Sequence, residues 1–265
     1  MYQSHFKMTR APFERDLPVA QLFSFVQFEE ALARLLFAVS RRSLAVITGE
    51  VGSGKSTLLR ALVGKLSPTE YHFAYIADSH LAPASFYDQA LRELAVAPAY
   101  RLAAMKRQFR KAVAEMAAGG KVPVIAIDEA QELLPPMLQE LKFILNFEMD
   151  SSSPLAVILC GQSDLRAALR LRTAAAVTRR IQTKYHLTGL EREELGPYIT
   201  HQLALAGCPH PLFPEEVVHA IHEQTKGAIW HVNRLCQGCL LDAFQHKQPL
   251  VDMTNLKRVI ADLTL

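Results

Sequence analysis

A lysine and a serine set between glycines and an apolar helix carry the first chemistry of this chain. In GEVGSGKST, Gly49, Gly54, Lys55 and Ser56 stand at the spacing GxxxxGK[ST]. Glycine lets such a loop fold tightly enough for several N–H groups to converge on one phosphate, while the ammonium neutralises the β and γ charges and the hydroxyl faces Mg²⁺. Gly52 lies inside the same loop and Thr57 directly follows it. About seventy residues on, Asp128 and Glu129 close the apolar run in VPVIAIDEAQ. An aspartate placed there holds Mg²⁺ through water, and the adjacent glutamate orients and deprotonates an attacking water. The two motifs together point to phosphoryl chemistry on ATP with Mg²⁺, with Ser56 and Asp128 as the metal-facing pair.

Those side chains need particular elements to bring them together. The loop must leave a buried strand and open a helix, and residues 44–48 and 56–66 supply both patterns. Residues 122–127 suit a central parallel strand covered on both faces, which carries Asp128 to its carboxyl end beside the loop. Further strands are expected at 72–77 and 155–160, and helices at 85–94, 101–118 and 136–147, with Gly119 and Gly120 stopping the second. Strands alternating with helices predict an α/β fold on a parallel sheet. After a short apolar patch at 185–187 the pattern turns wholly helical, at 191–206, 214–224, 229–245 and 254–263. The change of class sets the expected boundary: residues 1–188, with an N-terminal segment 1–25, form the α/β nucleotide-binding domain, and 189–265 a helical lid.

Composition fits this organisation. The chain has 265 residues, half of them hydrophobic, enough for one α/β core and a smaller satellite. No apolar run approaches about eighteen residues, and the opening MYQSHFKMTRAPFERD has no hydrophobic signal region, so a soluble cytoplasmic protein with no membrane partner is expected. Cys160, Cys208, Cys236 and Cys239 are too few and too irregular for a disulfide scaffold. Cys236 and Cys239 form a CxxC on a helical pattern, which reads as packed core thiols. A net charge of +3 and a pI near 8.7 do not by themselves call for nucleic acid. Locally, Lys106, Arg107, Arg110 and Lys111 are spaced to form one basic helix face opposite Leu102, Phe109 and Val113, suited to tracking duplex DNA phosphates.

An α/β core with these two motifs and a helical lid resembles the AAA+ ATPases of the P-loop NTPase class, a three-layer parallel sheet with a small C-terminal all-helical lid. MYQSHF…APF at the start, EALARL, GEVGSGKST, DEAQ and the LxxLxxxEMD-like run at 141–150 together resemble the ExeA-type branch, which includes the TnsC, TniB, IstB and MuB ATPases encoded beside transposases. The resemblance implies an ATPase that oligomerises on double-stranded DNA with ATP and Mg²⁺, as rings or filaments, and recruits or activates a transposase at a target site. It also implies that Gln162, after LAVILCG, is the sensor 1 residue reaching the γ-phosphate or the water. Arg180, within a basic run that includes Arg166, Arg170, Arg172, Arg179 and Lys184, matches the arginine finger that serves the neighbouring subunit; Arg179 is the alternative.

One departure stands out. The branch's lid motif GxPRxxN reads KGAIWHVN here, so Trp230 stands where the sensor 2 arginine is expected. His231 or Arg234 could substitute for it, but helical spacing is expected to turn them off the face of Trp230. Hydrolysis slowed by the missing arginine, or a lid that registers nucleotide differently, are the two consequences. Two other functions stay open beside the transposition reading: a nucleotide-gated scaffold with little turnover, and an ExeA-like secretion ATPase, which is expected to need a transmembrane helix and a periplasmic domain after the ATPase.

Overall fold

The computed structural model describes residues 2–78, 80–148 and 153–263. In chain order the elements are α1 (Tyr2–His5), α2 (Val26–Ser40), β1 (Leu44–Gly49), α3 (Lys55–Lys65), β2 (Tyr71–Ala77), α4 (Pro83–Glu93), α5 (Leu102–Ala118), β3 (Val122–Asp128), α6 (Pro135–Ile144), β4 (Ala156–Gly161), α7 (Ser163–Arg170), α8 (Ala175–Thr178), β5 (Ile181–Leu187), α9 (Arg192–Leu205), α10 (Glu215–Thr225), α11 (Ile229–Gln245) and α12 (Met253–Leu263). The chain divides into two compact units. One comprises 29–50 and 55–187; the other comprises 2–28, 51–54 and 188–263. The last part of the EMD-like run, at 149–150, lies outside the described residues.

The first unit is built on a five-stranded parallel sheet in the order β2-β3-β4-β1-β5. Every residue of β1, β3 and β4 is buried, which is why these strands read in sequence as continuous apolar runs rather than alternating ones. Pairing aligns Ile47 with Cys160, Ile127 with Leu159 and Ala77 with Asp128, so the carboxyl ends of β1, β2, β3 and β4 finish at one sheet edge. Against β2 and β3 pack α4, α5 and α6, whose Phe86, Tyr87 and Phe109 rings meet edge to face with centroids 5.2–5.9 Å apart. Truncating a fully buried strand residue such as Ile127 to Ala would cost about 2–5 kcal/mol. The fifth strand is one of the elements that sequence reading missed. Only 185–187 looked apolar, whereas Ile181–Leu187 pairs along β1 with Gln182 and Lys184 exposed, the weak alternation of an edge strand.

The second unit is helical. α9 opens with a reciprocal capping box, the Glu191 side chain on the Glu194 backbone and the Glu194 carboxylate accepting the Glu191 N–H at 2.9 Å. Its last carbonyls take donors from the start of the chain: Thr9 N–H to Ala206 O at 2.8 Å and Arg10 Nε to Leu205 O at 2.8 Å. Helix-end carbonyls lack partners within the helix, and this need ties segment 2–28 to the C-terminal helices rather than to the sheet unit that sequence had assigned it to. Between α11 and α12, Asp242 accepts from Arg258 at 2.6 Å and from Asn255 at 2.7 Å.

Candidate nucleotide site

The loop after β1 turns at Gly52 (φ +78°) and Gly54 (φ +98°), left-handed conformations in which successive N–H groups point to one side. Lys55 begins α3 and is almost fully buried, its Nζ donating to the carbonyls of Gly49 and Glu50, both at 2.9 Å. Ser53 Oγ is buried with no hydrogen-bond partner among the described residues, a polar atom waiting for an acceptor or donor from outside the chain. In the first turn of α3, Ser56 Oγ donates to Asp128 Oδ2 at 3.2 Å, with Thr57 beside it. A hydroxyl and a carboxylate so placed present two hard oxygens and leave most positions to water and phosphate, a donor set that fits Mg²⁺.

Asp128 is only 4% exposed and heavily bonded. Besides Ser56 it accepts from the Tyr75 hydroxyl at 2.7 Å and from the Glu129 N–H at 2.9 Å. Tyr75, on β2, comes within reach through the β2–β3 register, and burial followed by the bond to Asp128 drives its hydroxyl well above the ordinary tyrosine range. Cys160, aligned with Ile47 in the neighbouring strand, is likewise pushed up, by burial first and the Asp128 charge second. A thiol so held stays protonated.

Glu129 leaves the strand at φ +50°, a left-handed conformation for a residue with a side chain. Its Oε2 accepts from Gln131 Nε2 at 2.6 Å and from Gln162 Nε2 at 3.4 Å, while Gln131 Oε1 accepts the Gln162 N–H at 2.8 Å. The Gln131 amide therefore bridges Glu129 to the residue that follows β4. A Cβ on Gly161 would lie 2.8 Å from Gln131 Oε1, so this approach depends on glycine. Sequence reading quoted Gln131 only as part of DEAQ and gave Tyr75 no role. Nearby, Glu50 accepts from the Ser163 hydroxyl, and Thr48 Oγ1 lies 3.0 Å from His186 Nδ1. Burial, then the Arg166 charge, holds His186 below its ordinary value.

Three other sets fall elsewhere. Arg180 is half-buried and Arg179 exposed, immediately before β5. Because Ile181 pairs with Leu44 and Leu187 with Gly49, Arg180 sits at the opposite end of the sheet from Gly49 and Lys55, roughly 20 Å away at about 3.3 Å per strand residue. The basic face on α5 is divided. Lys106 makes an ion pair with Glu140 at 2.7 Å, and Arg110 donates to Asn146 O at 2.8 Å and lies over the Phe147 ring; Lys111 pairs with Glu115 at 3.6 Å. Only Arg107 and Lys111 of the four point outward without committing to α6 or the residues after it. In the helical unit, Arg234 lies over the Trp230 indole, 5.4 Å from its centroid, and the His231 ring is 4.9 Å away. The expectation that Arg234 would face elsewhere was wrong, because i and i+4 share a helix face. Cys236 and Cys239 are buried free thiols, and the described residues contain no metal-holding cluster of three or more His, Cys, Asp or Glu. Nor do they include a helix long and apolar enough to cross a membrane.

Residues 38–169 match a family described as AAA domain. Among curated proteins, the chain is 32% identical over 248 residues to General secretion pathway protein A of Aeromonas hydrophila, covering 92% of this chain and 45% of that protein, so it spans about half its relative's length. Among solved structures it resembles Cdc6p from Pyrobaculum aerophilum (TM-score 0.69, 14% identity, 98% of this chain and 70% of that one). It also resembles Drosophila ORC bound to DNA (TM-score 0.69, 14% identity, 100% and 65%), and at such identities both show the fold alone. The chain thus carries an AAA domain, built on the five-stranded parallel sheet of the AAA+ P-loop NTPase fold.

Proposed function

We propose that this protein binds ATP with Mg²⁺, hydrolyses it, and uses the bound state to assemble with further copies of itself. The observation that carries the reading is the convergence at one sheet edge of Lys55, the Ser56–Asp128 pair, and a Glu129 carboxylate held by Gln131 and Gln162. In this scheme the loop N–H groups and Lys55 hold the β- and γ-phosphates. Glu129 orients a water and takes its proton as the water oxygen bonds to the γ-phosphorus; the bond to the ADP oxygen breaks and ADP leaves with that electron pair. Bound Mg²⁺ supplies charge neutralisation at the β- and γ-oxygens, and Ser56 and Asp128 are the residues to hold it. Gln162 fits the sensor position by its bond to the same carboxylate. Arg180 is too far from its own loop to act there, which supports a role toward the ATP of an adjacent subunit.

Duplex DNA is the proposed surface for that assembly, with a transposase as the recipient of the assembled state; outward-facing Arg107 and Lys111 support phosphate contact. A second reading, an ATPase module of a secretion apparatus, is favoured by the 32% identity to General secretion pathway protein A across 92% of the chain. Analytical sedimentation separates them. Wild-type protein should assemble with ATP and Mg²⁺, Lys55→Ala should neither bind ATP nor assemble, and added duplex DNA should lower the protein concentration needed, an effect weakening steeply with salt. ATP binding unchanged in Lys55→Ala would defeat the ATPase proposal; assembly indifferent to DNA would favour the secretion reading.

A further inference from the structure

The loop after β1 is fastened to α11 at Trp230, the residue that departs from the expected lid motif. Trp230 is the second residue of α11, and its N–H belongs to the first helical turn, where backbone donors have no acceptor within the helix. That N–H donates instead to the carbonyl of Gly52, at 3.1 Å, in the middle of the phosphate loop. The Trp230 Cβ closes against the same residue so tightly that a Cβ added to Gly52 would lie 2.4 Å from it. Gly52 is therefore demanded twice, by its left-handed φ and by the tryptophan. The exposed Arg234 guanidinium lies over the same indole, 5.4 Å from its centroid.

We propose that Trp230 is a positioning residue of the phosphate loop: through the Gly52 carbonyl and Cα it sets the orientation of the loop peptide, so that uptake of a β-phosphate by the loop is transmitted to the start of α11. The inference rests on the nucleotide-binding reading above and adds the point at which the helical unit registers the ligand. Its physical basis is that the Gly52 peptide has two ends. Its carbonyl is fixed by Trp230, and the N–H groups around it are those that a phosphate would engage, so the ligand and α11 compete for, or reinforce, one peptide orientation.

Trp230 is the chain's only tryptophan, so its emission reads this contact directly. Equilibrium dialysis of ADP, ATP and AMP, run on the same samples as emission titrations, gives the test. ADP and ATP should alter the indole emission with midpoints equal to their dialysis affinities, and AMP, which lacks the β-phosphate, should leave it unchanged. Binding by dialysis with unchanged emission overturns the proposal and leaves the nucleotide reading standing; absence of binding by dialysis overturns both. Two variants isolate the hydrogen bond. Trp230→Ala keeps the N–H and the Cβ, whereas Trp230→Pro removes the N–H at a first-turn position where proline is tolerated. ADP affinity of the proline variant should be about fivefold weaker than that of the alanine variant, the worth of one net hydrogen bond. Equal affinity in two variants with matching circular dichroism overturns the proposal, and should the proline variant not fold, the emission titration decides.

Discussion

Glu129 carries its carboxylate on a left-handed backbone, a conformation costing about 1–2 kcal/mol for a residue with a Cβ and tolerated where surrounding bonds over-determine it. Gln131 and Gln162 are those bonds. Glu129→Gln preserves shape and packing but cannot accept a proton, so ATP should bind with wild-type affinity while turnover falls by about 10²- to 10⁴-fold, seen as nucleotide retained in the variant after gel filtration. Turnover at the wild-type rate would remove Glu129 from the chemistry. The residues that meet at this edge were legible as far as spacing carries information: Lys55, Ser56, Asp128 and Glu129 sit at fixed offsets from glycines and from the end of an apolar run. Tyr75 and Gln131 were not. Tyr75 reaches Asp128 only through the register of β2 on β3, and Gln131 reaches Glu129 only because the backbone reverses at that glutamate, and neither fact is local to its own sequence.

At the scale of elements, sequence periodicity found the four buried or half-buried strands and the long helices, because the sheet's covered faces demand apolar runs and the helices demand apolar stripes. It passed over β5, where alternate residues face solvent, and α7, whose Leu165 and Leu169 are a short apolar pair inside a basic run. The α5 face shows the complementary failure: charge spacing on one helix cannot reveal that Glu140, from α6, takes Lys106 out of the basic stripe. The α11–α12 pair offers a prediction of its own. Asp242 accepts hydrogen bonds from Arg258 and Asn255, and these, the Arg258 bond foremost, hold its carboxyl below the ordinary aspartate value. A carboxyl lowered in the folded state contributes stability that is fully present above its unfolded value of about 3.9 and is lost as pH falls through the folded value. Asp242→Asn should therefore lower the thermal midpoint by a few degrees at pH 7, and the gap to wild type should shrink as pH falls below the unfolded value and through the lowered folded one, in melts followed by circular dichroism. A gap that stays constant down to acid pH would show that the charge is not what ties α12 to α11.

For the molecule as a whole, the position of Arg180 far along β5 from its own loop makes one subunit an incomplete enzyme under the proposed function. Arg180→Ala should bind ATP normally and lose about 10³- to 10⁵-fold in turnover, the worth of an arginine supplied in trans in related chemistry. Mixing it with Lys55→Ala, each inactive alone, should restore activity at a fraction set by random pairing, since each variant supplies the part the other lacks; no recovery at any ratio would place the site within one chain. The strand order carries a different consequence, for the time in which the chain is made. β1 precedes the other four strands of its sheet, yet both of its neighbours, β4 and β5, are encoded more than a hundred residues later, and β2, though next in sequence, pairs with β3 instead. At about 5–20 residues per second, the LAVITG segment, wholly buried in the folded sheet, waits on the order of ten seconds of translation without a strand to pair with. During that interval the nascent chain carries the strand that later bears the phosphate loop without its partners, and the centre of this sheet can close only once β4 and β5 have been made.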